Sequence, residues 1–239
     1  MAGCCECRPP PLPAEFESTA FWCEENVYIL IRQFLLSQQI IEHWDIFAII
    51  ISNVDKSAAL WDQKLAQQDL YPVVWDYHVV MLLRLRMAHS SEVHQSEGTD
   101  DLGDTTGAVC HCWVYDFDTR LGSPCPAEKY ITQSFRPCPA QFQSMFRVVP
   151  GQDYIDYFAS DRSHMLLPSS SQLQIKGQRP EYSKPPPGYS CLVGKKAAEA
   201  GVTNNLMQAF VSMDVQGSGT MYGRVFTLQE MVHWISFAQ

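Results

Sequence analysis

The stretch PVVWDYHVVMLLRLR, residues 72–86, decides the fold class. Read in twos, Val73, Trp75, Tyr77, Val79, Met81, Leu83 and Leu85 point one way, and Val74, Asp76, His78, Val80, Leu82, Arg84 and Arg86 point the other. A period of two is that of a β-strand. His78 stands on this strand with apolar residues on both sides, so it is expected to be held rigidly. Cys110 to Thr119 alternates in the same way, with Trp113, Tyr115 and Phe117 on one face and Cys112, Val114, Asp116 and Asp118 on the other. Upstream the period changes. Val27, Leu30, Ile31, Phe34 and Leu35 fall at the i, i+3, i+4, i+7, i+8 positions of one helix face, which predicts a helix from about Cys23 to Ser37. Glu24 and Glu25 lie in its first turn, where carboxylates suit the positive end of the helix dipole. Ile46 to Ile51 is a continuous apolar run ending at Ser52-Asn53, a buried segment that fits the end of a helix or a strand. Met221 to Phe237 predicts a strand followed by a short helix. A helix ahead of paired strands makes this an α/β (α+β) chain.

The bulk numbers narrow the function classes. At 239 residues the chain suits one large domain or two small ones. Apolar residues make up 46% and charged residues 18%, a globular composition. A net charge of −9 and a pI of about 5.2 repel phosphate backbones, which argues against nucleic acid as a partner. No apolar run reaches the roughly 18 residues that span a bilayer, so no membrane partner is expected. Met1 to Leu12 lacks the basic start and apolar core of a signal peptide. The nine cysteines are odd in number and irregular in spacing, as expected of free thiols in a reducing compartment. Residues 1–18 read as a flexible tail and 19–239 as a single domain. Polar, glycine- or proline-rich stretches near 88–109, 168–187 and 194–205 read as mobile insertions, the first at a hairpin tip.

A nucleophilic cysteine needs a lowered pKa, a base within hydrogen-bond reach and a group to orient that base. The predicted helix start places Cys23 at the positive end of a dipole, facing unpaired N–H groups. If the two strands pair with His78 opposite Asp116 and Leu82 facing Cys112, the imidazole and carboxylate project from one face. Plainer readings stand beside this one. A cysteine ahead of an amphipathic helix is more often a small core residue, a strand histidine is more often a satisfied core or surface group, and Asp116 and Asp118 could start a turn. Cys110-His111-Cys112 resembles half a metal site without a second ligand pair, and Cys4, Cys5 and Cys7 sit in a tail with no assigned role. Composition and periodicity alone stop at a soluble α/β domain in which a thiol enzyme is one reading.

Several blocks add a resemblance. Trp75-Asp76-Tyr77-His78-Val79 resembles the signature pentapeptide of the protein N-terminal glutamine amidohydrolases, the WDYHV-motif family. Cys23-Glu24-Glu25-Asn26, Ile51-Ser52-Asn53, Tyr115-Asp116-Phe117-Asp118-Thr119, the run from Phe158 to Met165, and Ser212-Met213-Asp214 match further family blocks in the same order. The resemblance covers most of residues 20–239. It implies a papain- and transglutaminase-like fold, in which an N-terminal nucleophile helix packs on an antiparallel sheet, and a Cys23, His78, Asp116 triad. It also implies a monomer in cytosol and nucleus that needs no metal or cofactor. The substrates would be proteins or peptides with N-terminal glutamine, converted to an N-terminal glutamate that can be arginylated and read as a degradation signal. The stretches Ala88 to Val109 and Gly194 to Asn205 are longer than the family's connections there.

A free α-amino group on the substrate calls for a carboxylate or carbonyl. Glu25, Asp118 and Asp161 are the candidates, each of which could equally be a cap or surface charge. Two other function classes remain open. A papain-like peptidase or transglutaminase-type acyltransferase would use the same triad but give a different product. A catalytically weak binding module for protein N-termini would bind without releasing ammonia. A structural zinc protein is a more distant reading.

Overall fold

The computed structural model describes residues 8–86, 111–167, 181–214 and 221–236. Its centre is strand β1 (Trp44–Ser52), the run that the sequence left between helix and strand. Trp44, Ile46, Ala48 and Ile50 face one core, while Ile49 and Ile51 face a second. A strand covered on both sides reads as an unbroken apolar run, and this is why its periodicity is mute. Two short strands, β2 (Ala58–Leu60) and β3 (Val73–Trp75), pair in a small sheet of their own. Next come β4 (His78–Leu85), β5 (Cys112–Tyr115) and β6 (Cys125–Pro126), and later β7 (Met145–Pro150) and β8 (Arg224–Thr227). The main sheet has the order β6-β5-β4-β1-β7-β8, and every neighbouring pair is antiparallel.

Helices cover both faces of this sheet. On one face lies α1 (Cys23–Leu35), followed by the short α2 (Gln38–His43). Val27, Leu30, Ile31 and Phe34 of α1 share a core with Tyr77, Val79, Met81 and Leu83. Each such fully buried side chain contributes about 1.5–3 kcal/mol, enough to fix the helix start against the end of β4. On the other face α3 (Ala127–Ser134) and the C-terminal helix Leu228–Ser236 supply Tyr130, Ile131 and Met231 to a core with Val80, Leu82 and Val114. Helix α4 (Gly151–Tyr157) closes the first core, its Tyr154 lying against Tyr28 of α1.

The structure departs from the sequence reading in four places. Residues 72–86 form two strands rather than one. At the break, Ser52 Oγ donates to the Asp76 carbonyl at 2.6 Å and the Asp76 carboxylate accepts the Tyr77 N–H at 2.9 Å, so β3 turns off to pair with β2. The β4–β5 register is displaced by two residues from the expected one: Leu82 pairs with Val114 and Met81 with Tyr115. Continued by the same offset, His78 falls opposite Asp118, with Asp116 its diagonal neighbour. A shift of two preserves the face on which each side chain lies. Helix α1 ends at Leu35 rather than Ser37, because α2 starts at Gln38. Residues 194–205, expected as a loose insertion, contain the helix Lys195–Glu199. They are tied down by the Gly194 N–H to the Phe158 carbonyl at 2.7 Å and by Asn205, whose side chain accepts the Ala159 N–H and donates to the Tyr157 carbonyl.

The strand and helix expected over Met221–Phe237 appear as β8 and Leu228–Ser236. The 88–109 stretch lies outside the described residues, as do residues 168–180 of the second insertion and residues 1–7 of the tail. Residues 8–18 have neither helix nor strand, yet they lie on the body: Phe16 stacks on Phe117 at 4.9 Å and Tyr115 donates to the Pro10 carbonyl. No helix among the described residues is long and apolar enough to cross a membrane.

Candidate active site

Cys23 is the first residue of α1, and the chain entering it is clamped. Asn26 accepts the Thr19 N–H and donates to the Thr19 carbonyl, both at 2.8 Å. The Trp22 indole donates to the Pro185 carbonyl at 2.8 Å. Phe21 stands at φ +69°, a left-handed conformation that costs a bulky residue about 1–2 kcal/mol. The N-cap residue Trp22 makes no side-chain cap bond to the first N–H groups of the helix. Cys23 as a residue is only 7% exposed.

At the start of β4, His78 is fully buried and stacks on Trp75 with ring centroids 5.0 Å apart. Its Nε2 is 2.9 Å from Asp116 Oδ1. Its Nδ1 is buried and has no hydrogen-bond partner among the described residues, so one ring nitrogen is anchored while the other is open to take a proton. Asp116 is saturated with donors. Oδ1 also accepts the Asp118 N–H at 2.8 Å, while Oδ2 accepts the Tyr130 hydroxyl at 2.9 Å and the Gln63 amide at 3.4 Å.

Charge follows from this packing. Burial by itself would raise the Asp116 carboxyl, but the His78 charge and the hydrogen bonds from His78, Asp118 and Tyr130 hold it below its ordinary value. Burial likewise works against a charged His78, yet the charge and hydrogen bond of Asp116, with Asp118 and Glu24 beyond, carry it above the usual imidazole value. The thiol departs from the sequence expectation. Burial first, then the charges of Glu24 and Asp118, push Cys23 well above its ordinary value. The Val79 backbone N–H, one residue past His78, pulls the other way, and Asp116 adds to the rise. The packing around Cys23 thus favours the thiol form, and that around His78 favours the protonated imidazole.

A sequence profile of the family described as N-terminal glutamine amidase matches residues 18–235. The chain belongs to the N-terminal glutamine amidase family. Similar proteins include the Protein N-terminal glutamine amidohydrolase of Bos taurus, 31% identical over 218 residues that span 90% of this chain and 84% of that protein. The protein of the same name from Homo sapiens is 31% identical over 227 residues, 94% of this chain and 89% of that one. That of Arabidopsis thaliana is 30% identical over 198 residues, 81% and 74% respectively. Cys23, His78 and Asp116 all lie inside the matched span of this amidase-family chain.

The three carboxylates proposed for substrate binding fall in different settings. Glu25 is fully buried and closed by a bidentate pair with Arg162, both contacts at 2.8 Å. Asp161 is exposed, accepting the Ser163 N–H and the Asn204 amide. Asp118 is half-buried beside the imidazole. His78, Asp116 and Asp118 each offer a ligand atom within 4.8 Å of the others. As a metal site this set is already committed, since His78 and Asp116 bind each other and Asp116 accepts three further hydrogen bonds. Of the Cys110-His111-Cys112 motif, Cys110 lies outside the described residues and the Cys112 thiol is turned toward the Ile235 carbonyl in the second core. No described cysteine is in a disulfide.

Sequence reasoning missed Gln63 and Tyr130, which position Asp116, and also the roles of Glu24, which touches the thiol, and of His164, which joins Glu24 to Tyr77. The pairs lie 53 and 14 residues apart from Asp116 in the chain, and His164 is 87 from Tyr77. No local pattern announces contacts of that range. A cavity of about 840 Å³ bounded by Asn53, Phe135, Phe142, Met145 and Leu228 is lined by none of the three candidate catalytic residues.

Proposed function

We propose that this chain hydrolyses the side-chain amide of an N-terminal glutamine, giving an N-terminal glutamate and ammonia, with Cys23 as nucleophile, His78 as acid and base, and Asp116 as its orienting partner. The observation that carries the chemistry is that the helix-start Cys23 takes the Val79 backbone N–H at the start of β4, one residue past the buried His78–Asp116 pair. The names of the relatives support the substrate.

The Cys23 S–H proton passes to His78 Nδ1 as the sulfur attacks the carboxamide carbon. The negative charge that develops on oxygen is met by N–H groups at the start of α1, including that of Cys23. The tetrahedral species collapses as the imidazolium gives its proton to the departing nitrogen, releasing ammonia and leaving a thioester. His78 then takes a proton from water, hydroxide adds to the thioester, and Cys23 leaves as the acid forms. Asp116 fixes the imidazole by its Nε2–H and stabilises the charged form. A monomer acting in cytosol and nucleus, whose product feeds arginylation, completes this reading.

The test is ammonia release from a short peptide beginning with glutamine, against its N-acetylated twin. Release from the free peptide alone, lost in Cys23→Ala, supports the reading. Shortening of the peptide would support a papain-like peptidase. Binding of the free peptide without ammonia release would support a reader of N-termini.

A further inference from the structure

We infer that the Glu24 carboxylate, with the His164 imidazole at its side, is the subsite for the free α-ammonium group of the substrate's first residue. This rests on the proposed amidase function and names the feature that would restrict it to N-termini. In glutamine the α-nitrogen lies on the order of 5 Å from the side-chain carbonyl carbon, by standard bond lengths. A carboxylate that meets the ammonium must therefore sit within a few ångströms of the attacking sulfur. Glu24 Oε2 is 3.6 Å from Cys23 Sγ.

The other carboxylates are occupied or misplaced. Glu25 is neutralised by Arg162, and Asp116 is filled by its four donors. Asp161 is on the surface holding Ser163 and Asn204. Asp118 lies within 4.8 Å of the imidazole and acts on His78 more strongly than Glu24 does, so a cation bound there would oppose the charge His78 must acquire more than one at Glu24.

Glu24 carries the mark of an unfilled position. It is fully buried, and its Oε1 accepts no well-formed hydrogen bond from the described residues. His164 Nε2 is 3.3 Å from that oxygen but poorly aligned, and it also lies 3.1 Å from the Tyr77 hydroxyl. His164 Nδ1 is itself buried without a partner among the described residues, on a side chain only 10% exposed. Buried polar atoms left unsatisfied are uncommon and costly. Here two of them belong to neighbouring side chains, and one of these, the Glu24 carboxylate, has its other oxygen 3.6 Å from the nucleophile. An alkylammonium group donating to Glu24 Oε1 and to the free nitrogen of His164 would satisfy both.

The test compares two substrates. One is a peptide with N-terminal glutamine. The other is the same peptide starting with 4-carbamoylbutanoyl, which is glutamine without its α-amino group. The wild type is expected to lose roughly 30- to 100-fold in kcat/KM on the second substrate, the worth of a charge-assisted hydrogen bond away from water. Glu24→Gln, of the same shape, is expected to lose a similar factor on the free peptide and to bring the ratio of the two substrates close to one. His164→Phe, which keeps the ring, is expected to lower the same ratio less steeply, and it serves if Glu24→Gln does not fold. Equal loss on both substrates, with the ratio kept in both variants, would overturn the subsite and leave the amidase reading intact. Ammonia release by the wild type from neither peptide would overturn the amidase reading and the subsite with it.

Discussion

Asp116→Asn isolates charge from shape. The amide fits the same space. With its oxygen kept toward His78 and Asp118, its nitrogen meets the Tyr130 hydroxyl, which can turn to accept, and Gln63, whose amide can flip because its Oε1 is buried without a partner among the described residues. What is lost is the negative charge opposite the imidazolium. Two unit charges centred about 4 Å apart, at an effective dielectric constant of about 20, attract by about 4 kcal/mol. If that stabilisation acts when His78 carries the proton, kcat falls by about a thousandfold. The assay is ammonia release from a glutamine-start peptide, with circular dichroism and urea unfolding to show that the fold persists. A folded Asp116→Asn enzyme within about fivefold of the wild-type rate, about two orders of magnitude short of the expected loss, would refute the role given to the pair.

Three further outcomes follow from the same geometry. Arg162→Ala leaves Glu25 buried without its partner and is expected to cost about 3–5 kcal/mol of stability in urea unfolding; a loss below 1 kcal/mol would mean that the pair is dispensable. Asp116 is lowered in the folded state, so its stabilisation is present above the ordinary carboxylate range and fades as the pH falls through the folded value. His78 is raised, so its share is present below the ordinary imidazole value and fades as the pH rises through the folded value. The stability gap between wild type and Asp116→Asn is therefore widest between those two ranges and narrows on either side, and a gap independent of pH would contradict the assignment. Finally, the Glu24 charge helps hold Cys23 as a thiol, so alkylation of Cys23 by iodoacetamide at neutral pH is expected to quicken in Glu24→Gln, and an unchanged rate would count against that coupling.

The legible part of this fold is the part written in local period. The alternation around His78 placed Tyr77, Val79, Met81 and Leu83 together on one face and Val80 and Leu82 on the other, and the two cores divide them so. Period two fixes the face but not the register, and the β4–β5 pairing moved by two residues without disturbing the face of Asp116. The break between β3 and β4 depends on Ser52, 24 residues from Asp76. The helix start at Cys23 was visible in the spacing of Val27 to Leu35, but the direction of its thiol shift was not. A dipole can be read from sequence, whereas burial and the convergence of Glu24, Asp118 and Asp116 on one sulfur arise only on folding. Glu25 shows the same limit: chosen as a ligand for an amine, it is held by an arginine 137 residues away.

The most direct test of the central claim is the mass of a glutamine-start peptide after incubation with the wild type and with Cys23→Ala. The account predicts replacement of NH2 by OH on the first side chain, full peptide length, and no change with the variant or with an N-acetylated peptide. An unaltered mass with the wild type, cleavage of the chain, or equal conversion by Cys23→Ala would contradict it.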